Sequence, residues 1–104
     1  GREVFLVVLL NGRNQVLDIV ELFEGTLTTS AVYPRKVIKL ILEKDAAAVI
    51  FVHNHPSGNP NPSKDDQNLT LKLKATCSTI DVQLHDHLII AGNDYTSMAD
   101  KGMV

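Results

Sequence analysis

The chain has 104 residues, 44% hydrophobic and 21% charged, which suits one globular domain with a modest core and leaves no room for two. Ten basic against twelve acidic side chains give a formal net charge of −2, without the basic excess that supplies non-specific nucleic-acid affinity. A single cysteine, Cys77, excludes an internal disulfide and a CxxC metal site, and no apolar stretch reaches the ~18–20 residues a membrane span needs.

Along the chain, EVFLVVLL (3–10) is β-branched and apolar and ends at Asn11-Gly12, a hairpin-turn signal. QVLDIVELFEGTL (15–27) follows as a second strand, so an antiparallel pair is expected. SAVYPRKVIKLILEKDA (30–46) reads as a helix entered near Pro34, because proline fits a first helical turn. Val37, Leu40 and Ile41 recur at helical spacing, and Arg35 and Lys36 at the helix start read as a solvated face. AAAVIFV (46–52) is a short, continuous apolar run, read as a buried central strand.

The segment 53–62, HNHPSGNPNP, carries Pro56, Gly58, Pro60 and Pro62, so neither helix nor sheet continues through it. Ser63 opens a second helix as its cap, with an acid three residues on, and Leu69, Leu73, Thr76 and Cys77 give that helix a buried face. IDVQL (80–84) and HLIIAG (87–92) read as two further strands. The order β-β-α-β-loop-α-β-β implies an α/β domain with a mixed sheet, in one unit spanning 1–104. The abrupt start on a strand, without a signal-peptide pattern, suggests a domain excised from a longer protein, and the lone cysteine suits a cytoplasmic setting.

The loop after the central strand carries the chemistry. His53 and His55 stand at i, i+2, so in extended backbone their imidazoles share a face. The turn-rich segment folds back, and Asp66, early in the next helix, can complete the cluster. Two imidazoles and one carboxylate with a water make an open tetrahedral Zn2+ site suited to activating that water for hydrolysis. The bland reading has Asp65 and Asp66 merely complementing a helix N-terminus, with the histidines incidental.

H-x-H, seven residues, Ser, two residues, Asp is the JAMM signature, here His53, His55, Ser63 and Asp66. With GTL at 25–27, YPRKV at 33–37 and DHLII at 86–90, the chain resembles the RadC-like branch of the JAMM/MPN family over essentially its whole length. The resemblance implies a three-layer α/β/α fold with a mixed, largely antiparallel, cytidine-deaminase-like sheet. It also implies a zinc-dependent hydrolase of peptide or isopeptide-like amides. His53, His55 and Asp66 would hold the zinc, Ser63 would stabilise the oxyanion, and an upstream glutamate would be the general base. Glu21 is favoured for that role over Glu24, because it shares a face with Leu17, Ile19 and Phe23 and should be partly buried.

The neighbouring His85, Asp86 and His87 read as structural, with a hydrogen bond from Asp86 or His87 to a ligand imidazole in view. Asn54 reads as a turn former and Cys77 as core. An unknown peptide or protein substrate is the expected partner, with no membrane. RadC proteins carry a DNA-repair label, so the alternatives are a nucleic-acid-associated repair module and a non-catalytic scaffold. Low aromatic content and neutral-to-acidic charge give this stretch no support for strong DNA binding, although a longer protein could supply it.

Overall fold

The computed structural model describes residues 2–104. Strand β1 (Glu3–Leu10) and strand β2 (Val16–Gly25) are followed by helix α1 (Pro34–Lys44) and strand β3 (Ala48–Asn54). Helix α2 (Lys64–Ser78), strand β4 (Gln83–Ala91) and strand β5 (Asp94–Ser97) complete the chain. The strands form one sheet in the order β2-β1-β3-β4-β5, with every pairing antiparallel except β3–β4.

Local chemistry sets most boundaries. The β1–β2 connection is longer than a two-residue hairpin because the Asn11 side chain organises it: Oδ1 accepts from the backbone N–H groups of Arg13 and Gln15, both at 3.0 Å. Helix α1 starts later than the sequence pattern suggests, with Pro34 in its first turn, and stops at Asp45, whose φ of 53° is left-handed. The expected strands 80–84 and 87–92 are one strand, β4, which begins only at Gln83, with 80–82 in the turn after α2. The HDH triplet carries an irregularity rather than a break: Val49 pairs with Leu84 and Ile50 with Asp86, leaving His85 as an extra residue. The short β5, absent from the sequence reading, closes a hairpin on β4 through Gly92, at φ 60°.

Topology decides where the core lies. Since β1 is antiparallel to both neighbours, β2 and β3 run the same way, and β2–α1–β3 is a crossover that skips β1. The β3–α2–β4 crossover advances in the same direction across the sheet. Right-handed crossovers that advance the same way put both helices on one face. Phe5, Val7, Leu9, Val49 and Phe51 are accordingly sealed beneath Val37 and Ile41 of α1 and Leu69, Leu73 and Cys77 of α2. Each such side chain contributes about 1.5–3 kcal/mol by leaving water. The alternate residues Leu6, Val8, Ile50, Val52 and Leu88 point to the other face and are only half-buried.

The α/β class and the mixed, largely antiparallel sheet are as expected. Of the three layers the family likeness implies, residues 2–104 supply two, the sheet and one helix layer. No helix among the described residues is long and apolar enough to cross a membrane. The same topology gathers three chain segments at one place: the C-terminal end of β3, the start of antiparallel β1, and the N-terminus of α2.

Candidate metal centre

His53 is the penultimate residue of β3, and His55 lies one step beyond the strand. The His55 backbone N–H still donates to the Ile90 carbonyl at 2.8 Å, so extended geometry continues and both rings lie on the helix-covered side. The chain then turns. Gly58 adopts φ 82° and donates its N–H to the His55 carbonyl, and the Thr96 hydroxyl holds the Pro60 carbonyl at 2.7 Å. Ser63 ends the loop as the N-cap of α2. Its hydroxyl oxygen accepts from the Asp66 N–H at 3.0 Å, while Asp66 Oδ2 accepts from the Ser63 N–H at 2.7 Å, a complete capping box.

That box delivers the Asp66 carboxylate to the histidines. Oδ1 is 3.1 Å from His53 Nε2, and Oδ2 is 2.9 Å from His55 Nε2. Ligands about 2.0–2.1 Å from a tetrahedral zinc stand about 3.3 Å apart, close to these separations. Asp66 is 2% exposed and His53 1%. Burial alone would raise the Asp66 carboxyl, but the His53 ring and the Ser63 N–H beside it outweigh burial and hold it well below the usual carboxylate range.

The donor chemistry tests whether a metal fits. His55 Nδ1 is 2.7 Å from the Asn59 carbonyl, which can only accept, so Nδ1 carries the proton. In the neutral ring Nε2 then presents a lone pair to a carboxylate oxygen. Two acceptors facing each other at 2.9 Å need a cation or a further proton between them. His53 Nε2 is a buried polar atom without a hydrogen-bond partner, although Asp66 Oδ1 is 3.1 Å away. An orphaned, buried nitrogen aimed at a shared carboxylate is what a metal ligand looks like without its ion. The residues fit.

A fourth group, absent from the sequence reading, is Glu3. Its carboxylate and the two rings place ligand atoms within 4.8 Å of one another, with Oε1 4.0 Å from His53 Nε2. The Leu27 N–H donates to Oε2 at 2.9 Å and aims the carboxylate. Asn54 is no turn former. Its Oδ1 accepts from the Val4 N–H at 2.7 Å and its Nδ2 donates to the Arg2 carbonyl at 3.2 Å, gripping β1 on both sides of Glu3.

The burial argued for Glu21 fails. Glu21 is exposed, and it pairs with Leu6, whereas Phe23 pairs with Phe5. The extra residue between them, Leu22, breaks the alternation, so Glu21 and Phe23 do not share a face. Glu24 pairs with Val4 and extends to Arg2 at 3.6 Å on the surface. Neither stands with the histidines.

Behind His53 lies His87, fully buried, with Nε2 2.7 Å from His53 Nδ1 and Nδ1 2.6 Å from the Thr70 hydroxyl. Burial, with the His53 ring as second cause, pushes His87 down to about 3. Asp86 instead ties the C-terminal turn to β4, accepting from the His87 and Ala99 N–H groups. His85 bonds Asn14 at the far end of the sheet. Asp65 points away from the rings and accepts from the Thr29 hydroxyl at 2.7 Å, tying α2 to the loop after β2.

The cluster opens into a cleft of about 650 Å³ whose walls include Glu3, Thr26, Leu27, His55, Asn59 and Ser63. Among the described residues, no lysine or arginine lines it. The sequence profile of the RadC-like JAB domain matches residues 1–103. The chain belongs to the RadC-like JAB family. It is 49% identical over 102 residues to a UPF0758 protein of Shewanella baltica (strain OS185). UPF0758 proteins of Shewanella woodyi and Shewanella loihica are similar to it at 48% and 47% identity. Each match covers 98% of this chain and 45% of the relative, so the JAB domain described here spans less than half the length of those proteins. Membership in the JAB family, together with the Glu/His/His cluster, is consistent with a metal-dependent hydrolase.

Proposed function

We propose that this domain is a zinc-dependent hydrolase that cleaves a peptide or isopeptide-like amide in a protein substrate, in the cytoplasm. The observation that carries the reading is the orphaned Nε2 of His53, directed with His55 Nε2 at the two oxygens of Asp66. Two nitrogens and a carboxylate with a vacant fourth position suit zinc among the divalent ions. When bound there, the ion would lower the pKa of a water from ~15.7 towards about 7 and polarise the substrate carbonyl.

The chain's own residues do the rest. Glu3 Oε1 lies 4.0 Å from His53 Nε2, beside where a water on the ion would sit, and the Leu27 N–H keeps that carboxylate from turning away. Glu3 takes the proton from the water during attack and returns it to the leaving amine, a general acid–base contribution of about 10²–10⁴. Ser63 places its hydroxyl oxygen on the Asp66 N–H as acceptor, which leaves its O–H free to donate to the developing oxyanion. A cleft without lysine or arginine favours a neutral amide over a phosphodiester.

The test combines metal analysis with turnover of a peptide and isopeptide panel. Wild type is expected to carry one zinc, and Asp66→Ala none. Glu3→Gln should retain zinc while losing at least about 10²-fold in turnover, with Glu21→Gln unchanged. Stoichiometric zinc in Asp66→Ala, or full turnover in Glu3→Gln, would overturn the assignment.

A further inference from the structure

We propose that Thr70 and His87 are positioning residues that fix the tautomer of His53, leaving its Nε2 bare towards the metal centre. This rests on the metal-centre reading above, but its first readout does not require metal.

The chain of bonds has one direction. The Thr70 hydroxyl has a single proton, and its oxygen lies 2.7 Å from the Asp66 carbonyl, which can only accept. With the proton placed there, the same oxygen, 2.6 Å from His87 Nδ1, must accept, so His87 Nδ1 is the donor. A neutral imidazole carries one proton, so His87 Nε2 is a lone pair. It lies 2.7 Å from His53 Nδ1, which therefore donates. His53 Nε2 is then the unprotonated nitrogen.

The opposite polarity would run from the Thr70 hydroxyl to His87 Nδ1, then from His87 Nε2–H to His53 Nδ1, and would put a proton on His53 Nε2. That N–H would need Asp66 Oδ1 as acceptor, yet at 3.1 Å the two atoms are not aligned as a hydrogen bond. It would also take the hydroxyl proton from the Asp66 carbonyl. Water has no access to reset the arrangement: His87 and Thr70 are fully buried, and Phe5 stacks on His53 and packs edge-on to His87, with centroids at 5.7 and 5.5 Å. The chain begins on the backbone of one ligand, Asp66, and ends on the ring of another, His53, so it couples the two.

Nitrogen-15 NMR of the metal-free protein at pH 8 reads the tautomers directly. Both His53 and His87 should be Nδ1–H in wild type. Thr70→Val keeps the shape and removes the acceptor, so His87 should shift to Nε2–H and His53 with it. Zinc affinity in chelator competition should then fall by about 10–100-fold. Thr70→Ser should restore both the tautomers and the affinity, whereas a purely structural threonine would alter the melting temperature alone. An Nε2–H tautomer of His53 in wild type, or an unshifted His53 in Thr70→Val, would overturn the proposal. Wild type with the stated tautomers and no zinc binding would uphold the relay and sink the metal reading alone.

Discussion

Ser63 shows how one side chain can serve both a helix and a cleft. Capping uses the hydroxyl's lone pair and leaves its proton free for a group in the cleft. Ser63→Ala should cost about 1 kcal/mol, whereas Ser63→Gly should cost only a few tenths, since glycine is a tolerable cap. Both should lose turnover by about 10²–10³ on a peptide panel, the scale of a missing oxyanion donor. His87 gives a separate, pH-resolved expectation. Its pKa is about 3 in the fold and near 6.5 in the unfolded chain, so between those values only the unfolded state takes up the proton. Stability is unaffected by this group above about pH 6.5 and lost as pH falls towards 3, at up to about 1.4 kcal/mol per unit. Melting curves at pH 7, 6, 5 and 4.5 should drop more steeply for wild type than for His87→Gln. Asp66, whose carboxyl is held low, stabilises at all pH above its unfolded value and begins to fail only below about pH 4, outside that window.

The elements explain which site residues could be read from the sequence. His53, His55, Ser63 and Asp66 lie within fourteen residues on a strand end, a proline-rich turn and a capping box, all of which leave local marks. Glu3 leaves none. It reaches the centre because β1 lies antiparallel to β3 with Phe5 opposite His53, a pairing across 48 residues that no spacing rule reports. Glu21 looked better because an unbroken alternation was assumed, and the extra Leu22 broke it. The two-strand reading of 80–92 failed in the same way at His85, where an irregularity resembled an end. Asn54 is the side chain that turns β1 into part of the centre. Asn54→Ala should lower stability by about 1 kcal/mol, the usual net worth of such bonds. On the proposed ligand set of His53, His55 and Asp66, it should also reduce turnover while leaving zinc content intact.

At the scale of the whole molecule, topology divides the labour between the two sides of the sheet. Both crossovers lie on one side, so the sealed core and the cluster share it. Cys77, fully buried there, has its thiol pushed up to about 11 by burial, and so is neutral and shielded in the native state. Labelling by a disulfide reagent should wait for the core to open. Leu73→Ala, expected to cost about 2–5 kcal/mol, should speed labelling at least about tenfold at neutral pH.

On the opposite side, Val8, Ile50 and Leu88 point away from the histidine rings, and the groups there that reach towards the centre act on backbone: Asn54 on Val4 and Arg2, and Asp86 on the His87 N–H. It is therefore the natural handle on the molecule. A dye, a bead or a rewritten set of threonines could be installed at Val8, Ile50 and Leu88, with Asn54 and Asp86 left in place, and the cluster on the reverse would keep its geometry.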